Sequence, residues 1–265
     1  MGQVIVVTSG KGGVGKTTTV ANIGAGLAML GKKVAMIDAD IGLRNLDVVM
    51  GLENRIVYDI VDVVEGFCRL KQALIKDKRF SDNLSLLAAA QTKDKSAVSP
   101  DEMRRICKEL KADFDFVLID CPAGIEQGFK NAVAPAEQAI IVTTPDISAV
   151  RDADRVIGLL EAHGLRDPLL IVNRVRPNMV KRGDMMAVED IAEILAIPLL
   201  GVIPEDEGII LSTNRGDPAA TVQSSFAGTA YRNIALRLTG QDVPLMSLDL
   251  RGGILSRFRR LVGGR

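Results

Sequence analysis

Short runs of almost purely apolar residues alternate along this chain with longer stretches whose apolar residues recur every three or four positions. Gln3 to Val7, Val34 to Ile37, Leu84 to Leu87, Phe116 to Ile119, Ala139 to Thr143, Leu169 to Val172 and Leu199 to Ile203 read as strands. Runs apolar at successive positions predict strands covered on both faces, and the helical patterns between them predict βαβ units. The expected fold class is therefore α/β, a mostly parallel, doubly wound sheet flanked by helices. Lys16 to Leu30 has helical spacing and stops at Gly31, a suitable C-cap. Pro100 to Lys111 predicts another helix, with Ser99 as N-cap and proline in the first turn. The charged residues that stand out all follow strands, and ligands of open α/β sheets bind at the carboxyl ends of strands.

The first strand leads directly into Ser9-Gly10-Lys11-Gly12-Gly13-Val14-Gly15-Lys16-Thr17-Thr18. This is a P-loop between a buried strand and a helix, the setting in which the motif works. Gly10, Gly12, Gly13 and Gly15, with Val14, allow backbone N–H groups to turn inward around phosphate oxygens. Lys16 can reach the β- and γ-phosphates of ATP, Thr17 can ligate Mg²⁺, and Thr18 extends the cradle into the helix. Asp120 ends the Phe116 to Ile119 strand at the position of a Walker-B aspartate, opposite Thr17. Asp38 and Asp40 leave the Val34 to Ile37 strand two residues apart. Asp38 is placed to orient Mg²⁺ or its waters and Asp40 to position the attacking water; an acidic turn is the plainer alternative.

Lys11 adds a second lysine that phosphate binding within one chain does not need. With Lys-Gly-Gly-Val-Gly-Lys-Thr around it, the loop resembles the deviant Walker A motif of the MinD/ParA ATPase family. Asp38 to Asp47 and Asp120-Cys121-Pro122-Ala123-Gly124-Ile125 are similar to the two switch segments of that family's septum-placing branch. Leu74 to Arg79, Ser148 to Arg155, Arg182 to Met185 and Gly201 to Asp206 resemble further segments of that branch, in the same order, so the likeness spans nearly the whole chain. The resemblance implies a P-loop NTPase fold and an ATPase of the MinD/ParA type. It makes Lys11 a residue that crosses the interface of an ATP-bound homodimer, with Lys11, Lys16 and Asp40 as the catalytic set. It assigns adenine recognition to Asn173 and closure over the base to Pro204, Glu205 and Asp206. It also implies a MinC-type division inhibitor and a MinE-type or other topological regulator as partners. A ParA-type segregation ATPase stays open as the alternative.

Composition narrows the partners. Lysine plus arginine and aspartate plus glutamate number 33 each, so no global charge argues for nucleic acid. Cys68, Cys107 and Cys121 show no paired spacing and read as reduced thiols of a cytosolic protein; Cys121 reads as a buried thiol and not a cluster ligand. His163, the one histidine, reads as a helix-end residue. The first strand begins so early that no signal peptide is expected, and no apolar run approaches the ~20 residues of a membrane span.

After Pro244 the pattern changes, which divides the chain into an ATPase domain (1–244), a linker (245–253) and a terminal helix (254–265). On a helical wheel Ile254, Leu255, Phe258, Leu261 and Val262 share an arc of roughly 120°, while Arg257, Arg259 and Arg260 lie outside it. A basic amphipathic helix at a chain end reads as an anchor on anionic lipids, and the alternative is a helix docked on its own core. The expected location is cytoplasmic, and peripheral on the inner face of the cell membrane when ATP is bound.

Overall fold

The computed structural model describes residues 2–246. Among these, the strands are β1 (Gln3–Thr8), β2 (Val34–Asp38), β3 (Ile75–Lys76), β4 (Leu84–Leu87), β5 (Phe116–Asp120), β6 (Gln138–Thr143), β7 (Leu169–Val175) and β8 (Leu199–Pro204). They form one sheet in the order β3-β4-β2-β5-β1-β6-β7-β8, parallel throughout except for the β3–β4 edge. The helices are α1 (Lys16–Met29), α2 (Leu46–Val49), α3 (Ile60–Val64), α4 (Leu70–Ala73), α5 (Pro100–Asp113), α6 (Gln127–Val133), α7 (Ile147–Ala162), α8 (Pro177–Arg182), α9 (Val188–Leu195), α10 (Glu207–Asn214) and α11 (Phe226–Leu238).

Alternate residues of the central strands feed two separate cores. Ile5, Val7, Met36, Leu118 and Ile140 pack with α1 and α11 through Val20, Ile23, Leu27, Tyr231 and Ile234. Val4, Val6, Ile37, Val117, Ile119 and Ile141 pack with α5, α6 and α7 through Ile106, Phe129 and Val156. The period of two sends successive side chains to opposite faces, so both must be apolar. The expected doubly wound α/β sheet is the observed one.

Local chemistry sets the helix ends. Ser99 and Glu102 form a reciprocal capping box at the start of α5, which runs two residues beyond the predicted end. Leu30 closes α1, and Gly31 follows with φ of 77°. Two elements differ from expectation. Ile75–Lys76 is too short and too polar to signal a strand, yet it pairs antiparallel with β4. Strand β7 continues past Asn173 to Val175, with an irregular register against β8 and Arg174 at φ 58°. Met246 is the last described residue, so the predicted terminal helix and all of the linker from 247 onward lie outside the described residues.

Asn22, buried in α1, fastens this helix to the short 3-10 turn Ala219–Thr221. Its amide donates to the Thr18 carbonyl (2.8 Å) and its Oδ1 accepts from the Ala220 N–H (2.8 Å). Asn22→Ala would leave the buried Ala220 N–H without its acceptor and is expected to cost about 1–3 kcal/mol. Urea unfolding of the variant against the wild type measures this, and an unchanged midpoint would contradict it.

Candidate nucleotide site

The site begins where β1 ends. Residues 9–15 turn over the top of the sheet and deliver Lys16 as the first residue of α1. Gly15 has φ of 99°, and a Cβ there would lie 2.4 Å from Asn173 Nδ2, so only glycine fits. Lys11, Gly12 and Gly13 are exposed, whereas the Lys16 side chain is drawn in and its Nζ donates to Ser9 Oγ at 2.9 Å. That hydroxyl in turn donates to the Lys11 carbonyl at 2.7 Å, which braces the loop. The first N–H groups of α1 have no helical acceptors, so loop and helix together form an anion cradle.

Two carboxylates face this cradle from adjacent strands. The parallel register of β2 and β5 sets Asp38 beside Asp120, and both are buried. Asp38 Oδ1 accepts from the Asp40 N–H (3.0 Å), while Oδ2 accepts from Asn45 and Leu46 (3.1 Å each). Burial raises the Asp38 pKa despite these three bonds, and the charge of Asp40 adds to the rise. Asp120 is raised as well, chiefly by burial and then by the charge of Asp38; a hydrogen bond from Thr17 and the charge of Lys16 oppose the rise. Asp120 Oδ1 is buried with no hydrogen-bond partner.

A donorless buried carboxylate oxygen beside a threonine hydroxyl is a hard oxygen pair, the chemistry that suits Mg²⁺. The residues therefore fit the cation: Thr17 and Asp120 would hold it. Asp38, with both oxygens committed to backbone N–H groups, suits an indirect role through water. Asp40 sits at the same mouth, half-buried, close enough for its charge to act on both other aspartates.

On the far side of the P-loop lies a cavity of about 190 Å³ lined by Gly15, Thr18, Asn173, Arg174, Pro204, Glu205, Asp206, Ile209, Ile210 and Tyr231. All four residues that the resemblance linked to the base thus meet around one space. One detail differs from the expectation, and a second was not foreseen. Asn173 lies inside β7 and not at its end, and its amide donates to the Val14 carbonyl at 2.8 Å, locking strand to P-loop. Asp206 does not turn its carboxylate to the cavity as a free group. It caps α10 through Gly208 N–H (2.8 Å) and receives Ser225 Oγ (2.8 Å) and Ala227 N–H (3.1 Å) from the start of α11. Burial works against this charge, but the hydrogen bonds outweigh it and the pKa is lowered.

Arg174, Ile209, Ile210 and Tyr231 escaped the sequence reading. The signal available for Tyr231 is its place in α11: a tyrosine buried in a helix needs a polar partner, here Thr19 Oγ1 at 3.2 Å. Lys11 lies against its own chain, with Nζ donating to Ser148 Oγ at 3.0 Å and standing 3.9 Å from Asp146 Oδ1. Cys121 is buried and its pKa is pushed up to about 12 by burial, so it is a neutral thiol. His163 closes α7, its Nδ1 2.8 Å from the Leu159 carbonyl.

Comparisons with known proteins agree with this geometry. Residues 5–219 match the family model described as the CobQ/CobB/MinD/ParA nucleotide binding domain. The chain is 57% identical to the septum site-determining protein MinD of Bacillus subtilis, over 100% of both chains. A MinC:MinD cell division protein complex from Aquifex aeolicus contains a chain that is 51% identical, with a TM-score of 0.85, covering 92% of this chain and 98% of that one. A septum site-determining protein from Pyrococcus horikoshii, complexed with Mg-ADP, is 33% identical with a TM-score of 0.80, covering 90% of this chain and 96% of that one.

The aspartate pair makes the nucleotide-free protein pH-sensitive. A carboxyl whose folded pKa is raised binds its proton more tightly folded than unfolded. Its contribution to stability is complete below the ordinary carboxylate range and is lost as pH rises through the folded value. Asp120→Asn removes that loss. Without metal or nucleotide, the variant is expected to melt above the wild type at about pH 8, with the gap closing toward about pH 4. Calorimetric scans across this range check it, and a gap that stays constant with pH would contradict the assignment.

Proposed function

The chain belongs to the MinD/ParA nucleotide-binding family, in its septum site-determining MinD branch, and from that premise we propose that it is an ATPase whose ATP-bound homodimer holds to the membrane and recruits a division inhibitor. One observation carries the reading: the P-loop, the Thr17–Asp120 oxygen pair and the Asn173 cavity converge at the same end of the sheet. Lys16 would neutralise the β- and γ-phosphates of ATP, and Thr17 and Asp120 would hold Mg²⁺. Bound Mg²⁺ supplies charge neutralisation and alignment of the phosphates. Asn173 and the Pro204 to Asp206 loop would enclose the adenine, and Asp40 would align the attacking water.

Lys11 supports the dimer. Its side chain is half exposed, and its contacts with Ser148 and Asp146 are surface contacts worth about 1 kcal/mol or less. Such contacts exchange readily for the phosphates of a partner's nucleotide. Dimerisation would then bring two terminal helices to one surface. Each basic residue near an anionic leaflet adds on the order of 1 kcal/mol, and two linked weak anchors gain avidity over either alone. No helix among the described residues is long and apolar enough to cross a membrane; in this proposal the basic, amphipathic 254–265 segment makes the attachment. A MinC-type inhibitor is the proposed cargo, in line with the Aquifex aeolicus complex, and a MinE-type or other topological regulator would set when ATP is spent. The proposed location is the cytoplasm and, with ATP bound, the inner face of the cell membrane.

Co-sedimentation with anionic vesicles tests the proposal. The wild type is expected to pellet with ATP and stay in solution with ADP. Phe258→Glu sets a carboxylate among the apolar residues of the tail, so it should stay in solution with either nucleotide while still dimerising with ATP on a sizing column. Lys11→Ala should bind ATP but remain monomeric. Retention on DNA with ATP, without binding to vesicles, would instead select a segregation ATPase. Unfolding or loss of ATP binding in Phe258→Glu would make the tail a docked structural helix.

A further inference from the structure

One buried ion cluster lies outside the nucleotide site. Asp77 is 2% exposed and directly follows β3, the edge strand of the sheet. Arg79 Nε sits 3.0 and 3.2 Å from the two oxygens of Asp77, and Nη2 adds a third contact at 2.6 Å. The pair alone would satisfy the carboxylate. The guanidinium, however, goes further than its partner requires. Nη2 also donates to the Met50 carbonyl, while Nη1 donates to the Gly216 carbonyl (2.7 Å) and to Asp217 Oδ1 (2.6 Å). One side chain thereby joins three segments far apart in sequence.

The two backbone segments it joins lead to opposite ends of the candidate site. Met50 follows α2, and α2 starts at the Asn45 and Leu46 N–H groups that Asp38 Oδ2 accepts. Gly216 follows α10, whose Ile209 and Ile210 line the Asn173 cavity and whose first turn is capped by Asp206. The turn after α10 is closed by the Asp217 N–H on the Ser212 carbonyl at 2.9 Å. Between the segments there is no room for slack. A Cβ on Gly216 would lie 2.4 Å from Gly51 Cα, and both glycines have positive φ, 68° at Gly216 and 62° at Gly51. The backbones touch directly, and Arg79 holds them there.

We propose that Arg79 is a positioning residue that ties the segment after Asp38 to the α10 wall of the base cavity, so that filling the cavity restrains the aspartate side of the site. The short α2 acts as the strut: Asp38 grips its first N–H groups and Arg79 grips its last carbonyl. The link to a nucleotide rests on the proposed function, whereas the clamp itself does not. Arginine is required because its planar fork reaches Asp77, Met50, Gly216 and Asp217 together, and a lysine ammonium cannot span them.

Arg79→Lys is the discriminating variant, since it keeps a cation beside the buried Asp77 and so avoids stranding that charge. Amide hydrogen exchange on the full chain reads the result, with and without ADP and Mg²⁺. Without nucleotide, the variant should exchange about tenfold faster than the wild type in both 46–51 and 212–217, and unchanged in α5. Faster exchange near residue 79 alone would overturn the clamp, whatever the protein binds. With ADP, the wild type should gain protection in 207–216 and in 46–51, while Arg79→Lys should gain it only in 207–216. ADP-dependent protection of 46–51 that persists in the variant would overturn the coupling. Absence of any ADP effect in the wild type would instead overturn the nucleotide reading and the coupling to it, with the nucleotide-free comparison still deciding the clamp. Arg79→Gln is expected to repeat both results, and rescue by Gln would show that charge and reach are not what matters.

Discussion

The adjacency of Asp38 and Asp120 at the ends of two central, parallel strands constrains everything around it. The register of β2 against β5 puts two buried carboxylates side by side under the P-loop. Unpaired buried charge is costly, so the surroundings are built to answer it. Three backbone N–H groups turn to Asp38, which forces the chain after β2 to fold back and start α2 at Leu46. Thr17 and Lys16 answer Asp120 from the first turn of α1. One oxygen of Asp120 stays without a donor, and a divalent cation would fit there.

From this pair outward, the site is held in place by ordinary packing and hydrogen bonding. Helix α1 carries Lys16 and Thr17 and is locked between the sheet and α11, while Asn22 ties it to the Ala219–Thr221 turn. Asn173 bolts β7 to the P-loop carbonyl of Val14. Asp206 spends its carboxylate on joining α10 to α11, a structural task that fixes the cavity wall without any direct demand on a ligand. Lys11 stands apart from these buried ties. Its contacts are exposed and exchangeable, as suits a residue proposed to serve a neighbouring molecule.

Much of this was legible from residue order because the signals are local. Continuous apolar runs announce strands buried on both faces, and the Gly-rich loop after one of them announces a phosphate cradle; Asp38 and Asp120 stand where strands end. Ser99 followed by Pro100 announces the start of α5. What stayed hidden depends on contacts between distant segments. Nothing around Ile75 and Lys76 favours a strand until β4 lies beside it. The commitment of Asp206 to two helix starts needs residues 19 and 21 positions away, and the reach of Arg79 to Gly216 needs residues 137 apart. Tyr231 enters the cavity only because α11 packs on α1.

Under the proposed function, the aspartate pair and the P-loop together receive a magnesium nucleotide. Isothermal titration of ATP into the wild type and into Asp120→Asn, each with Mg²⁺ and with a chelator, tests it most directly. Mg²⁺ is expected to tighten ATP binding to the wild type by at least about tenfold, near 1.4 kcal/mol, and the asparagine variant is expected to lose most of this difference. Equal affinity with and without Mg²⁺ in the wild type, or an undiminished Mg²⁺ effect in Asp120→Asn, would contradict it.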